Sequence, residues 1–119
     1  MRKILFRGRN DDGFVVYGDY SEHTDGTPYI RYWTNPRLGE KAYRVERVDP
    51  LSVGQYTGVD TVKGRKIFEG DEVKAFGKGY EICGRVCFEC GAFGLEWEHM
   101  GVRRFCPLTD FANGKFDFV

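Results

Sequence analysis

Three of the four cysteines have a spacing that is used to hold iron–sulfur clusters. Cys83, Cys87 and Cys90 follow the x3 and x2 spacing of radical S-adenosylmethionine enzymes, in which three thiolates bind one cluster. Those enzymes need a large partial barrel, which a chain of 119 residues cannot supply. If residues 82–88 are extended, Cys83 and Cys87 share one strand face, and Cys90 joins them only if the next turn rotates it back. The spacing therefore does not predict a cluster.

A structural zinc site is the second interpretation of the cysteines, because a Cys-x2-Cys turn supplies half of a tetrahedral site. Its ligands would be Cys87, Cys90, Cys106 and either His99 or Cys83. The second half lacks a paired spacing, since His99 and Cys106 are seven residues apart. No secretory segment is evident near the N-terminus, so we interpret the cysteines as reduced thiols that fill space on strands. The sequence thus predicts neither a metal site nor a cofactor.

Nucleophilic and acid–base catalysis also find little support among the residues. A nucleophile–base pair of Cys106 and His99 lacks any marker of an oxyanion hole or an orienting acid. The acidic pairs at 11–12 and 71–72 coincide with turn signals, which favours turn capping. The glycine-flanked segment 54–58 precedes no predicted helix and is interpreted as a turn rather than a phosphate loop. No catalytic residue is predicted, and we expect the protein not to be an enzyme.

Charge is balanced over the chain as a whole but not along it. Lys+Arg and Asp+Glu are both 18, and the resulting net charge of 0 excludes nucleic-acid binding by bulk electrostatics. Basic and aromatic residues nevertheless interleave through residues 29–47. They are Arg31, Arg37, Lys41, Arg44 and Arg47 together with Tyr29, Tyr32, Trp33 and Tyr43. A β-surface of this composition stacks the bases of single strands, so the stretch allows a nucleic-acid-binding accessory protein.

The elements that must position these residues are short strands. Sixteen glycines and four prolines divide the chain into brief apolar or aromatic runs, and no window has a sustained helical period. One helical turn is predicted over 109–113, capped by Thr109 or Asp110. The predicted strands are 4–7, 14–17, 29–33, 43–48, 66–68, 72–76, 82–88, 93–97, 102–106 and 116–119. This pattern predicts a mainly β, small single domain over 1–119 whose antiparallel strands form a barrel or sandwich.

One segment favours an SH3-like half of this domain. Gly70 and Asp71 precede Val73, and Gly84 and Val86 follow about a dozen residues later. In this pattern the aspartate caps a turn, the first valine begins the buried face, and the second glycine lets the strand bend. The pattern supports a barrel-like half rather than any particular ligand.

Three segments together resemble a known family. The most specific is Val-Gly-Gln-Tyr-Thr-Gly-Val at 53–59, followed by Lys-Gly-Arg-Lys-Ile-Phe-Glu-Gly-Asp-Glu-Val at 63–73. The others are Ile-Leu-Phe-Arg-Gly at 4–8 with Gly-Phe-Val-Val-Tyr-Gly-Asp at 13–19, and Gly-Arg-Val-Cys-Phe at 84–88 with Gly-Ala-Phe-Gly-Leu-Glu-Trp at 91–97. In this order they resemble the YopX family of phage and prophage proteins over residues 1 to about 97, whereas the tail at 98–119 departs from the family pattern.

The resemblance implies a β-rich protein of the bacterial host cytoplasm with no assigned activity, and it carries over no catalytic, cofactor-binding or metal-binding residue. It also implies structural roles: Gly54 and Gly58 in turns, Tyr56 in the core, and Gly70 with Asp71 at a strand entry. We therefore expect a non-enzymatic module that acts by contact with another protein or, as a homo-oligomer, with itself, and that has no membrane contact. The alternative is nucleic-acid binding through residues 29–47.

Overall fold

A computed structural model describes residues 3–34, 42–111 and 114–119. The chain divides into two compact units, Met1–Tyr56 and Thr57–Val119, which we call the N-terminal and C-terminal units. Both consist of antiparallel strands, so the prediction of a mainly β fold with little helix is confirmed. Within the described ranges, no helix has the length and apolar character needed to cross a membrane.

The N-terminal unit contains an antiparallel sheet in the strand order β4-β3-β2-β1. Its strands are β1 (Phe6–Arg9), β2 (Val15–Glu22), β3 (Pro28–Trp33) and β4 (Tyr43–Arg47). After a 3-10 turn at Pro50–Ser52, β5 (Gly54–Asp60) pairs with β1 and continues into the C-terminal unit. A single bridge between Asn10 and Val48 brings the chain after β4 back to the end of β1.

Local hydrogen bonds explain the first hairpin. The Oδ1 atom of Asn10 accepts from the amides of Asp12 and Phe14 at 3.1 and 2.9 Å, and Gly13 adopts a φ of 86°. An Asn side chain that bonds its own turn, followed by a glycine at positive φ, is a strong reversal signal. A buried hydrophobic cluster in this unit consists of Val16, Ile30 and Val48. Ile30 is 0% exposed, so the centre of β3 anchors the sheet.

The C-terminal unit contains a five-stranded antiparallel sheet in the order β10-β9-β8-β7-β11. After the short β6 (Lys66–Phe68), its strands are β7 (Glu72–Gly77), β8 (Tyr80–Glu89), β9 (Ala92–His99), β10 (Val102–Pro107) and β11 (Lys115–Phe118). A 3-10 turn at Leu108–Asp110 connects the last two. The core of the unit is formed by Ile67, Val73, Ala75, Val86, Leu95, Leu108 and Phe116.

Two tight turns fix the register of β8, β9 and β10. Cys90 and Gly91 have φ angles of 52° and 80°, and Met100 and Gly101 have φ angles of 53° and 77°. Positive φ at both central residues defines the type I′ turn, whose twist matches that of the strands it joins. In both turns a residue other than glycine or asparagine occupies the first position, where the left-handed conformation is unfavourable.

Three sequence predictions need correction. The segment 54–58, interpreted as a turn, lies in β5, because its central residues Tyr56 and Thr57 are buried and hold the strand in place. The helical turn predicted for 109–113 is a 3-10 turn at Leu108–Asp110 without a side-chain cap, and residues 112–113 lie outside the described residues. The barrel alternative also needs correction for the described strands, since neither sheet closes on itself, while the SH3-like half stays a prediction.

Candidate binding face of the N-terminal unit

The structure separates the cysteines that were considered together as metal ligands. Cys83 and Cys87 share one face of β8, as predicted, where they pair with Lys74 and Gly94. Cys106 pairs with the buried Leu95 and so lies on the opposite, core face of the sheet. Among residues 3–34, 42–111 and 114–119, no three His, Cys, Asp or Glu side chains are grouped so that they could hold a metal ion.

The cysteine environments also disfavour a nucleophile. Burial, assisted by the nearby Glu96, raises the pKa of the Cys87 thiol, and burial together with Asp110 raises the pKa of the Cys106 thiol. Because the thiolate is the nucleophilic form, both groups are deactivated at neutral pH. His99 lies four residues along β9 from the partner of Cys106, a distance of roughly 13 Å. The structure therefore does not bring Cys106 and His99 together.

A cluster of charges crosses β8, β9 and β10. The Nη2 atom of Arg103 donates to carboxylate oxygens of Glu89 and Glu96, both at 2.6 Å. These two hydrogen bonds raise the pKa of Arg103 further above its ordinary value. Because one guanidinium bridges two carboxylates, this cluster links three strands and keeps a net charge of −1.

Strand alternation divides the side chains of the N-terminal unit between two faces. One face contains the buried Val16 and Ile30, and the other, here called the distal face, points away from that core. The distal face is formed by Arg7, Arg9, Val15, Tyr17, Asp19, Ser21, Tyr29, Arg31, Trp33, Tyr43, Val45 and Arg47. This face therefore contains four arginines and four aromatic residues.

Large aromatic groups are accessible on the distal face. Trp33 is 64% exposed, and Tyr17 and Tyr43 are 49% and 48% exposed. The rings of Trp33 and Tyr43 pair across β3 and β4 with centroids 5.0 Å apart. At the other end of β3 the ring of His23 stacks on Tyr29 at 4.1 Å. A soluble sheet that leaves such rings exposed together is typical of a binding surface.

Acidic side chains are largely drawn to the other face. The hydroxyls of Tyr32 and Tyr20 donate to Glu46 and Glu22, both at 2.5 Å. Each hydrogen bond, with a smaller contribution from burial, raises the pKa of its tyrosine. Asp19, opposite Arg31, is the one acidic strand residue of the distal face among the described residues. The distal face is therefore more basic than the neutral chain to which it belongs.

A shallow pocket of about 370 Å³ lies at the end of β4, beside Arg47. Three carboxylates line it, and each already has a partner within the chain. Asp11 accepts from Nη2 of Arg47 at 3.0 Å, while Asp25 and Asp49 accept from the backbone amides of Thr27 and Leu51. The Thr27 amide lowers the pKa of Asp25, which keeps it ionised. The carboxylates of this pocket are therefore engaged within the chain, and Asp11 at its rim restrains an arginine of the distal face.

Comparison with family models gives one result that decides the chain's membership. The model described as YopX protein matches residues 5–119. The chain belongs to the YopX family. The match continues to residue 119, past the position near 97 where the resemblance ends in the sequence analysis. Searches of curated proteins and of solved structures give no match.

In the YopX-family chain, the motif residues occupy structural positions. Tyr56 is 7% exposed, which confirms its place among the buried residues. Asp71 accepts from the amide of Phe68 at 2.8 Å, and Gly70 has a φ of 94°, so both act at the entry to β7 as predicted. Gly84 is required for a different reason than bending: a Cβ there would lie 2.5 Å from the carbonyl oxygen of Glu96.

The distal face of this YopX-family protein overlaps the predicted stretch 29–47 but differs from it. Arg44 shares the opposite face with its pairing partner Tyr32, because it is one residue out of phase with Tyr43 and Val45. Arg37 and Lys41 lie outside the described residues. Sequence reasoning missed Arg7, Arg9 and Tyr17, which come from two earlier strands. Period-2 alternation in β1 puts Arg7 and Arg9 on one side of that strand, but only the pairing of β1 with β2 adds that side to the distal face.

Proposed function

We propose that this YopX-family protein is a non-enzymatic binding module whose distal face holds single-stranded nucleic acid. The observation that carries the proposal is the segregation of arginines and exposed aromatic rings on one face of a four-stranded sheet. Bases stack on aromatic side chains and phosphates pair with arginines, and single-strand-binding sheets combine both contacts. A role in phage or prophage biology inside the bacterial cytoplasm stays a prediction.

The arrangement of arginines and aromatic rings on the distal face favours binding of nucleic-acid bases over binding of a charged polypeptide. Trp33 and Tyr43 form an adjacent pair at one end of the face, and Arg31 lies between Val45 and Asp19 at its centre. The four strands cover roughly 15 Å across the sheet, enough for two to four stacked nucleotides. An acidic protein would be attracted by the arginines but would gain little from exposed ring faces, which supports the nucleic-acid proposal.

The proposed strand is single because the face is a shallow sheet. Reading the grooves of duplex DNA requires a helix or a projecting ribbon that enters them. The distal face presents neither within the described residues. Duplex binding would then rest on phosphate contacts alone, which are weakened by the neutral net charge of the chain. We expect single strands to be preferred over duplexes of the same length.

The test is fluorescence anisotropy of a short labelled oligothymidylate across a salt series. With about three phosphate contacts, log K against log salt should have a slope near −2, so affinity falls about twenty-fold between 50 and 200 mM salt. Trp33→Ala should weaken binding by about ten-fold through the loss of one stacked base. Unlabelled duplex and poly-glutamate serve as competitors that carry charge without accessible bases.

The matched pair of variants is Arg31→Gln and Arg44→Gln, because the two arginines are on neighbouring strands but on opposite faces. Arg31→Gln should weaken binding and reduce the salt slope by about 0.7, whereas Arg44→Gln should leave both unchanged. Equal effects of the two substitutions would contradict the assigned face. Displacement of the oligonucleotide by poly-glutamate as readily as by oligothymidylate would instead favour an acidic protein as the ligand.

A further inference from the structure

The free edge of β10 in the C-terminal unit has an unusual combination of features. Within the described residues, β10 is the last strand of its sheet, and β9 is the strand with which it pairs. Edge strands expose a row of N–H and C=O groups that can pair with another chain, and proteins commonly block them. This edge belongs to the C-terminal unit, whereas the distal face belongs to the N-terminal unit.

The turn at Met100 and Gly101 determines which backbone groups point to the edge. A two-residue type I′ turn is closed by a hydrogen-bonded pair, here His99 and Val102. Hydrogen-bonded pairs then recur at every second residue along β10. The backbone groups directed to the free edge therefore belong to Arg103, Phe105 and Pro107. Pro107 has no N–H, but an N–H at this position would point to the free edge. No hydrogen bond between β10 and β9 is therefore lost.

The guanidinium of Arg103, which could repel an approaching strand, does not project from this edge. Arg103 is an edge-directed residue, and a projecting cation there would repel an approaching strand. Its guanidinium is instead held by Glu89 and Glu96, both at 2.6 Å, on the surface of the same sheet. Phe105, the next edge-directed residue, lies across Gly94, where an added Cβ would be 2.4 Å from its ring. Neither of these two side chains therefore blocks the edge.

We infer that a second copy of this chain pairs with β10 in antiparallel fashion, about a two-fold axis at Phe105. In this register Phe105 exchanges both backbone hydrogen bonds with Phe105 of the second copy, and the Arg103 amide donates to the Pro107 carbonyl. Arg104 faces the uncharged Cys106. A two-fold axis at Arg103 or Arg104 would instead set like charges directly opposite each other, which is unfavourable. Avoidance of like charges therefore favours an axis at Phe105 over an axis at Arg103 or Arg104.

Disulfide trapping tests that register. The parent variant replaces all four cysteines by serine, and Phe105→Cys or Arg103→Cys is added to it. Across the two-fold axis the Cα atoms at 105 would be about 5.5 Å apart, which suits a disulfide, whereas those at 103 would be roughly 14 Å apart. On mild oxidation with diamide, we expect at least ten-fold more covalent dimer from Phe105→Cys. Equal yields from the two variants would overturn the proposed pairing.

Mass measurement tests the dimer without cysteine chemistry. Size-exclusion chromatography with light scattering at high micromolar concentration should give twice 13.7 kDa for the wild-type chain. Phe105→Pro removes the edge-directed N–H and should give the monomer mass, while Phe105→Val keeps that N–H and should remain dimeric. A monomeric wild-type chain, or a folded Phe105→Pro dimer, would overturn the inference. If circular dichroism shows Phe105→Pro to be unfolded, the trapping experiment decides.

Discussion

Asp11→Asn should strengthen oligonucleotide binding, an unusual direction for a surface substitution. The Asp11 carboxylate lies 3.0 Å from Nη2 of Arg47, and their side chains are 67% and 59% exposed. This hydrogen bond raises the pKa of Arg47 and occupies the guanidinium that a phosphate would use. A free Arg47 adds up to one phosphate contact, which steepens the salt slope by about 0.7. Relative to binding near 1 M salt, that contact is worth up to about eight-fold in affinity at 50 mM.

The assay is the anisotropy titration of oligothymidylate, repeated from about 50 mM to 1 M salt. Asp12→Asn is the control, because it removes the same charge from the same loop and its carboxylate has no ion pair among the described residues. We expect tighter binding and a steeper slope for Asp11→Asn, and less than a two-fold change with an unaltered slope for Asp12→Asn. If both variants tighten binding equally, Arg47 is not the group that Asp11 restrains, and the reasoning fails.

Three further predictions concern stability and titration. Cys90→Asn should raise the free energy of unfolding by about 0.5–1 kcal/mol, since asparagine tolerates the left-handed turn position; a urea titration measures this, and no gain would contradict the strain argument. Gly94→Ala should cost about 1–3 kcal/mol in the same assay because its Cβ would overlap the Phe105 ring; unchanged stability would mean that the ring moves freely. Glu46→Gln should lower the pKa of Tyr32, seen by ultraviolet titration of tyrosinate, because the carboxylate hydrogen bond raises that pKa. The neutral hydroxyl is the form that Glu46 favours, so the stabilisation is complete below pH of about 10 and is lost as the pH rises through the raised pKa. An identical titration curve in the variant would argue against the hydrogen bond.

Most strands could be predicted because their signals are local. The run at 66–68 and the start of β10 at Val102 follow directly from apolar runs between turn residues. The strand β5 was missed because its glycines resemble turn signals, whereas burial of Tyr56 and Thr57 keeps it extended. Here burial outweighs the turn propensity of glycine. Burial depends on neighbours that are distant in sequence, so it cannot be predicted locally.

The residue types of the candidate site could be predicted from the sequence, but the individual residues that form it could not. The stretch 29–47 contains Arg31 and Trp33, which both lie on the distal face. Composition alone does not tell which side of a strand a residue faces, and Arg44 faces the other side. Arg7 and Arg9 join the face only through the pairing of β1 with β2. Which strands pair, and in which register, depends on the tertiary fold. A local sequence pattern therefore cannot predict it.

The division of charge between the two faces makes the N-terminal unit an electric dipole within a chain of zero net charge. Glu22 and Glu46 are held by tyrosines on one face, and Arg9, Arg31 and Arg47 lie on the other. A dipole is oriented by a nearby charged surface even when the net force on the molecule vanishes. If the distal face binds a polyanion as proposed, this dipole turns the arginines towards that polyanion before contact. Neutrality of the whole therefore favours selective contact at one face.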